Sequence, residues 1–249
     1  MIELTLIGIG TGNPDHITMQ AARAMNAADL ILIPRKGEAK SDLVDLRRDI
    51  CAQVVNAPVR IVEFDMPVRD AGGDYARGVH EWHDAIAAVW REQIALHLSE
   101  GGGLALLVWG DPSLYDSTLR IAERLTGVTV RVVAGITSIQ ALTAAHAIPL
   151  NPLAGSVTIT TGRLLRAHGW PEGADTVVVM LDGGCAFETL DPAGIAIWWG
   201  AYLGMEHQAL EAGLLVHAAP VIAARRAELR ARHGWIMDVY LMRKEQNDG

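Results

Sequence analysis

Short apolar runs alternate along this chain with longer stretches whose apolar residues recur at helical spacing, and that alternation restricts the fold more than any other feature. Strands that are apolar at nearly every position must be covered on both faces, and chains that interleave them with helices build largely parallel sheets with helices packed against them. The spacing predicts strands over residues 4–9, 30–33, 59–62, 104–109 and 128–133, and helices over 18–27, 42–55, 75–98, 118–125 and 138–147. Thr18 is a capping candidate for the first helix, and Pro34 is expected to end the second strand. Gly101, Gly102 and Gly103 should stop the third helix before the most apolar strand. Later strands are predicted over 157–161, 176–180, 195–199 and 235–241. At 249 residues and 50% hydrophobic, the chain suits two modest α/β domains, expected as 1–115 and 116–249 with a boundary near 113–117.

Several function classes lose support on composition. A formal charge of -8 disfavours a nucleic-acid binder, because phosphate recognition needs a basic face. The apolar runs are strand-sized, far below the roughly 20 residues that cross a bilayer, so no membrane partner is expected. The first strand, at 4–9, begins three residues after Met1, leaving no space for a signal peptide, and a cytoplasmic location is expected. Cys51 and Cys185 lie far apart without partners at ligand spacing, which argues against a disulfide framework or a zinc site. His80 and His83 sit one helical turn apart with no third ligand in view, and they read as a polar helix face, so no metal is expected. The seven tryptophans lie mostly in apolar runs and read as core. Ser99, Ser113 and Ser117 do not fall in a G-x-S-x-G turn, so a serine nucleophile has no support.

Ligands of open α/β sheets collect beyond the carboxyl ends of strands, so turns directly after buried runs carry the functional signal. Three such turns stand out. The first holds Gly8, Gly10, Gly12 and Pro14, spaced G-x-G-x-G-x-P, where missing side chains permit close approach by a ligand or simply a tight turn. A dinucleotide fingerprint would require G-x-G-x-x-G, although Arg35 and Lys36 after the second strand keep an NADP enzyme open. The second turn is Gly110-Asp111-Pro112, in which Asp111 either holds a polar group of a ligand or caps the turn. The third is Gly135-Ile136-Thr137-Ser138, whose hydroxyls either face a ligand or cap the helix that follows.

In this order the three turns resemble those of the corrin and porphyrin methyltransferases that use S-adenosylmethionine. Gly8, Gly10, Gly12, Pro14 and Thr18 match the first block of that family, Gly110, Asp111 and Pro112 the second, and Gly135-Ile136-Thr137 with Ile148-Pro149-Leu150 the third. Ala134 departs from the family's usual proline. The resemblance covers most of the chain and implies a two-domain fold, each domain a mixed or mostly parallel sheet flanked by helices, with an active-site cleft between the domains. Within the family, residues 33–38, Asp42-Leu43, Leu46-Arg47-Arg48, Trp82-His83 and residues 234–238 are similar to the branch that methylates precorrin-5 at C-1 and releases its acetyl group as acetate. Methylation of another position on a precorrin or uroporphyrinogen is the related alternative. An NADP-dependent reductase or a non-catalytic binding module is the alternative from another class.

The resemblance implies cofactor contacts from Thr11, Gly110, Asp111, Leu114, Thr137, Ser138, Leu181, Tyr202, Leu203 and Gly204, many of them through the backbone. Leu181 stands where many relatives have Met. S-adenosylmethionine would be the cofactor and S-adenosylhomocysteine its product, in a family of homodimers. Substrate contacts are expected from Pro14, Arg35, Lys36 and Tyr115. Release of acetate needs a group that activates water; Asp15 and Asp116 are the expected bases, with His16, Tyr115 and Asp182 nearby in the same kinds of loop. A substrate bearing many carboxylates needs local positive charge, which Arg35, Lys36, Lys40, Arg47 and Arg48 can supply. The same cluster, diluted by Glu38, Asp42, Asp45 and Asp49, also reads as a solvated face laced with ion pairs.

Overall fold

Alternate residues of a strand point to opposite faces of its sheet, and in the first half of the chain both sets are apolar. The computed structural model describes residues 1–35, 41–69 and 75–244. It divides into two compact units, Met1–Thr137 and Ser138–Gly249. In the first unit, β1 (Ile2–Gly8), β2 (Leu30–Arg35), β3 (Arg60–Asp65), β4 (Gly102–Val108) and β5 (Val128–Val133) form one sheet in the order β3-β2-β4-β1-β5. Every neighbouring pair is parallel. Between the strands run α1 (Met19–Ala27), α2 (Ser41–Val54), α3 (Tyr75–His97) and the single turn α4 (Thr118–Ala122).

Leu4, Leu6, Leu30, Leu32, Leu104 and Leu106 bury one face of this sheet with Ile86 and Trp90 of α3 and Ile121 of α4. Ile7, Ile31, Ile33, Ala105 and Leu107 bury the other with Ala21 and Met25 of α1 and Val44 and Ile50 of α2. At roughly 1.5–3 kcal/mol for each fully buried large apolar side chain, these two layers are the main source of the unit's stability. Thr18 caps α1 as expected, its hydroxyl accepting a hydrogen bond from Ala21 N at 3.0 Å.

The second unit contains α5 (Ser138–Ala145), β6 (Val157–Thr161), α6 (Gly162–His168), β7 (Thr176–Met180), β8 (Ile195–Ala201), β9 (Ala209–Leu214), α7 (Leu215–His233) and β10 (Asp238–Lys244). Its sheet order is β6-β7-β10-β8-β9. Only β6 and β7 pair in parallel; β10 runs antiparallel to β7 and β8, and β9 antiparallel to β8.

The structure differs from the expected elements where long-range pairing decides. β5 is hydrogen-bonded along β1 from Ile2↔Val128 to Ile7↔Val133, so the units divide at 137/138 rather than near 113–117. Pro34 lies inside β2, not at its end, because only the β3 side of β2 is paired there, with Pro34 opposite Phe64. Gly102 and Gly103 belong to β4, opposite Ile2 and Glu3. The final strand falls at 238–244 rather than 235–241, and β9, α6 and α7 occupy stretches where no element was expected. His83 is buried at 3% exposure rather than sitting on a polar helix face.

Candidate active site

The three glycine turns of the first unit meet. Gly10 and Gly110 form an isolated antiparallel bridge, with Gly110 N donating to Gly10 O at 2.7 Å and Gly10 N to Gly110 O at 3.4 Å. A Cβ on Gly8 would lie 2.6 Å from Gly135 N and 2.7 Å from Gly110 O, and one on Gly135 would overlap Gly110 O itself. These turns therefore touch through backbone that no side chain could share, while Gly10, Gly12 and Gly110 take positive φ angles of 72°, 114° and 62°.

Asp111 locks the second turn to the third. Its Oδ2 accepts from Gly135 N at 2.9 Å, and its Oδ1 accepts from Ser113 N at 2.8 Å and Ser113 Oγ at 2.5 Å. Burial alone would raise this carboxyl, but the hydrogen bonds from Ser113 and Gly135 outweigh it and hold it below the usual carboxylate range. Leu114 N closes the turn onto Asp111 O. Thr11, nearly buried, shares a 3.0 Å hydrogen bond with His16 Nδ1, and Asn13 Oδ1 accepts from Asp15 N to start the short turn Pro14–His16.

The two expected bases differ in setting. Asp15 is exposed. Asp116 uses Oδ1 to accept from Thr118 N at 2.6 Å, closing a turn just ahead of α4. Between them in the chain, Tyr115 holds φ at 50°, a left-handed conformation that costs a non-glycine residue about 1–2 kcal/mol.

In the second unit, β7 and β8 flank β10 and point the same way. Tyr240 of β10 is paired with Val179 on one side and Trp199 on the other, so the two strands end level. Leu181 follows β7 with φ 52° and Tyr202 follows β8 with φ 50°. Leu181 is 66% exposed, whereas Tyr202 and Leu203 are buried. The Tyr202 hydroxyl donates to Trp235 O at 2.5 Å, and Gly204 N donates to Gln208 Oε1 at 2.8 Å. Strain of this kind persists only where surrounding structure enforces it, and it gathers at functional sites. Ser138, across the division from Thr137, opens α5.

Asp182 is structural. It accepts hydrogen bonds from Ala186 N (2.6 Å), Tyr240 OH (2.8 Å), Gly184 N (3.0 Å) and Arg166 Nη2 (3.2 Å). Burial would raise it, but those four donors outweigh burial and keep it ionised, so no lone pair is left to activate water. Its own carbonyl accepts from Arg226, which also pairs with the buried Asp238 at 2.8 Å.

The basic cluster splits into two environments. Arg35 binds Asp65 through two hydrogen bonds of 2.9 and 3.0 Å, and Arg48 binds Glu63 through two of 2.6 and 2.8 Å, all at the surface. These are the ion pairs of a solvated face. Lys36 and Lys40 lie outside the described residues. Arg47 instead turns inward at 8% exposure. Its Nε donates to Leu107 O and its Nη1 to Leu43 O, and burial lowers its pKa to about 10. The sequence placed all three arginines in one cluster; nothing in it marked Arg47 as the buried one.

Residues 3–219 match the family model described as Tetrapyrrole (Corrin/Porphyrin) Methylases. Over 251 aligned residues the chain is 46% identical to a precorrin-6A synthase [deacetylating] from Sinorhizobium sp, covering 98% of this chain and 96% of that protein. A solved cobalamin-synthesis-related protein, CobF from Corynebacterium diphtheriae, superposes with a TM-score of 0.83 at 36% identity, over 98% of this chain and 99% of that one. The same fold recurs at 17% identity and a TM-score of 0.60 in a uroporphyrin-III C-methyl transferase from Thermus thermophilus solved with S-adenyl homocysteine, over 96% of this chain and 91% of that one. With the family model matching residues 3–219 and the near end-to-end likeness to a precorrin-6A synthase, the chain belongs to the tetrapyrrole (corrin/porphyrin) methylases.

Proposed function

We propose that this protein is a precorrin-6A synthase of the deacetylating kind, using S-adenosylmethionine to methylate precorrin-5 at C-1 with release of acetate in aerobic cobalamin biosynthesis. The observation that carries the reading is the near end-to-end likeness to a precorrin-6A synthase [deacetylating], 46% identical over 98% of the chain. S-adenosylmethionine supplies an electrophilic methyl group when bound. The residues fit such a ligand on two grounds: the close contact of Gly8, Gly110 and Gly135 fixes the turns that carry Thr11, Asp111 and Thr137, and Leu181 and Tyr202 hold strained conformations directly after the ends of β7 and β8.

Thr11, Gly110, Leu114, Thr137, Ser138, Leu181, Leu203 and Gly204 are the proposed contacts, together with Asp111 and Tyr202. The last two have their side chains engaged with their own chain, so Asp111 would act by fixing the turn and Tyr202 through its backbone. Loss of acetate requires water to add to the acetyl carbonyl, and a base must take that water's proton. Asp116 Oδ2, the oxygen not used by Thr118, and the exposed Asp15 carboxylate are the two proposed acceptors. Pro14, Tyr115, Arg35 and Lys36 are the proposed substrate contacts, Arg35 exchanging Asp65 for a substrate carboxylate. A cytoplasmic homodimer is the proposed state, checked by light scattering.

Purified protein incubated with S-adenosylmethionine and precorrin-5 should yield S-adenosylhomocysteine, acetate and a product of the expected mass. Methyl transfer without acetate would keep the family and defeat this assignment. Unchanged acetate release in both Asp15→Asn and Asp116→Asn would remove those residues from the chemistry.

A further inference from the structure

The second sheet carries two left-handed residues directly after separate strands, and neither is a glycine. Leu181 leaves β7 with φ 52° and Tyr202 leaves β8 with φ 50°, conformations that an L side chain resists. β10 lies between the two strands, so no ladder hydrogen bond joins β7 to β8. Whatever sets the two residues relative to each other runs through β10 or through side chains.

Residues 235–238, which the sequence marks only by likeness to one branch of the family, hold the Tyr202 end. Tyr202 N donates to Met237 O at 2.9 Å, its hydroxyl donates to Trp235 O at 2.5 Å, and its ring meets the Trp235 ring edge-on at 5.1 Å. Asp238 pairs with Ala201 in the ladder, and its Oδ2 accepts from Trp199 Nε1 at 2.9 Å. The Leu181 end is held at the next residue, where four donors fix the Asp182 carboxylate.

One side chain joins the two ends. Arg226 of α7, only 7% exposed, donates from Nε to Asp238 Oδ2 at 2.8 Å and from Nη2 to the carbonyl oxygen of Asp182. Its guanidinium holds these donors in one plane at a set separation, a fork that a lysine cannot reproduce. Two well-packed apolar side chains would fill such a space without desolvating a charge pair, so stability alone does not call for an ion pair here. A device that fixes geometry does.

We infer that Arg226 is a positioning residue for S-adenosylmethionine: by gripping Asp182 O and Asp238 together, it sets Leu181 and the Tyr202-Leu203-Gly204 segment at the spacing the cofactor requires. The inference rests on the proposed function, which makes those residues cofactor contacts. Arg226 acts through its two partners and not on the cofactor itself.

Calorimetry of S-adenosylhomocysteine binding to the full-length protein, read beside the thermal midpoint, separates positioning from stability. Arg226→Lys keeps a charge beside Asp238 and gives up the fork, so affinity should fall about tenfold at a temperature where the variant is folded. In ¹H–¹⁵N spectra without ligand, the Leu181 and Tyr202 amide resonances should both shift. Leu215→Ala is the control, because its side chain is fully buried at the start of α7, roughly 16 Å along the helix from Arg226. It should lower the midpoint at least as far and leave affinity unchanged. Arg226→Gln combined with Asp238→Asn removes both charges and strands no buried ion; it is the second variant should Arg226→Lys unfold, and it too should bind about tenfold more weakly or worse. Unchanged affinity in the Arg226 variants, unmoved Leu181 and Tyr202 amides, or an equal affinity loss in Leu215→Ala would overturn the inference. Wild-type protein that binds no S-adenosylhomocysteine would remove the cofactor reading itself. Wild-type binding beside Arg226 variants of equal affinity would remove only the positioning role.

Discussion

The two sheets end in different ways. In the parallel sheet, the turns after β1, β4 and β5 are joined through absent side chains, with Gly8, Gly110 and Gly135 in backbone contact. In the mixed sheet, the ends of β7 and β8 are held by side chains, through Asp182, Arg226, Tyr240 and Asp238. One unit shapes its strand ends by leaving atoms out. The other does so by burying charges and enforcing left-handed residues.

That contrast can be broken most forcefully at the buried ions. Arg226→Met leaves Asp238 buried without its cation and removes a donor to Asp182 O, and it should destabilise the protein by about 3–5 kcal/mol in denaturant titrations. Arg226→Lys should recover part of the loss. A variant as stable as the wild type would show that side chains do not hold the second sheet's ends.

Gly135→Ala is the matching test in the first unit. Its Cβ would overlap Gly110 O, and a loss of about 3 kcal/mol is expected, with weakened S-adenosylmethionine binding by calorimetry. Gly127, unlike Gly135, has a positive φ of 72°, but a Cβ there meets nothing within 4 Å. Gly127→Ala should therefore lose only about 1–2 kcal/mol and leave cofactor affinity intact. Equal effects at both positions would reduce the junction to ordinary turn strain.

Leu181→Gly sharpens the comparison in the opposite direction. Release of the left-handed strain should stabilise by about 1 kcal/mol, since the side chain is mostly exposed. Cofactor affinity should nevertheless fall. A rise in melting temperature with unchanged affinity would make the strain incidental.

The smallest effect concerns His83. Burial, then the positive charges of Arg124, His80 and Arg120, lower its pKa in the folded chain. The unfolded chain binds the proton first, so this residue's contribution is intact above the ordinary histidine pKa of about 6.5 and declines as pH falls from there towards its lowered folded value. His83→Phe should flatten the slope of stability against pH in that window.

Much of the first unit was legible because its signals are local. Two-faced burial writes apolar runs directly into β1, β2 and β4, and Thr18 announces α1 by its own capping hydroxyl. The second unit was harder to read. Leu215, Ala218, Ile222 and Leu229 follow helical spacing in α7, but buried Arg226 falls in the same stripe and Pro220 sits inside the helix. β9 reads AlaLeuGluAlaGlyLeu, with glycine and glutamate obscuring a strand that its pairing with β8 makes regular. The three site turns were found because each follows a buried strand. That Asp111 holds Gly135 N, and that Asp182 has no lone pair to spare, required partners 24 and 58 residues away.

By itself the sequence determined the alternation of strands and helices, the order of the three glycine turns and, through them, the family. Those properties depend on neighbours a few residues apart. Tertiary structure alone decided that β10 enters the middle of its sheet, that β5 completes the first unit, and that Arg47 turns inward while Arg35 and Arg48 stay at the surface. Each depends on which distant backbone or side chain supplies the missing hydrogen bond. The empty edge left by Pro34 in β2, facing an open carbonyl of β4, is what draws one arginine of the cluster out of water.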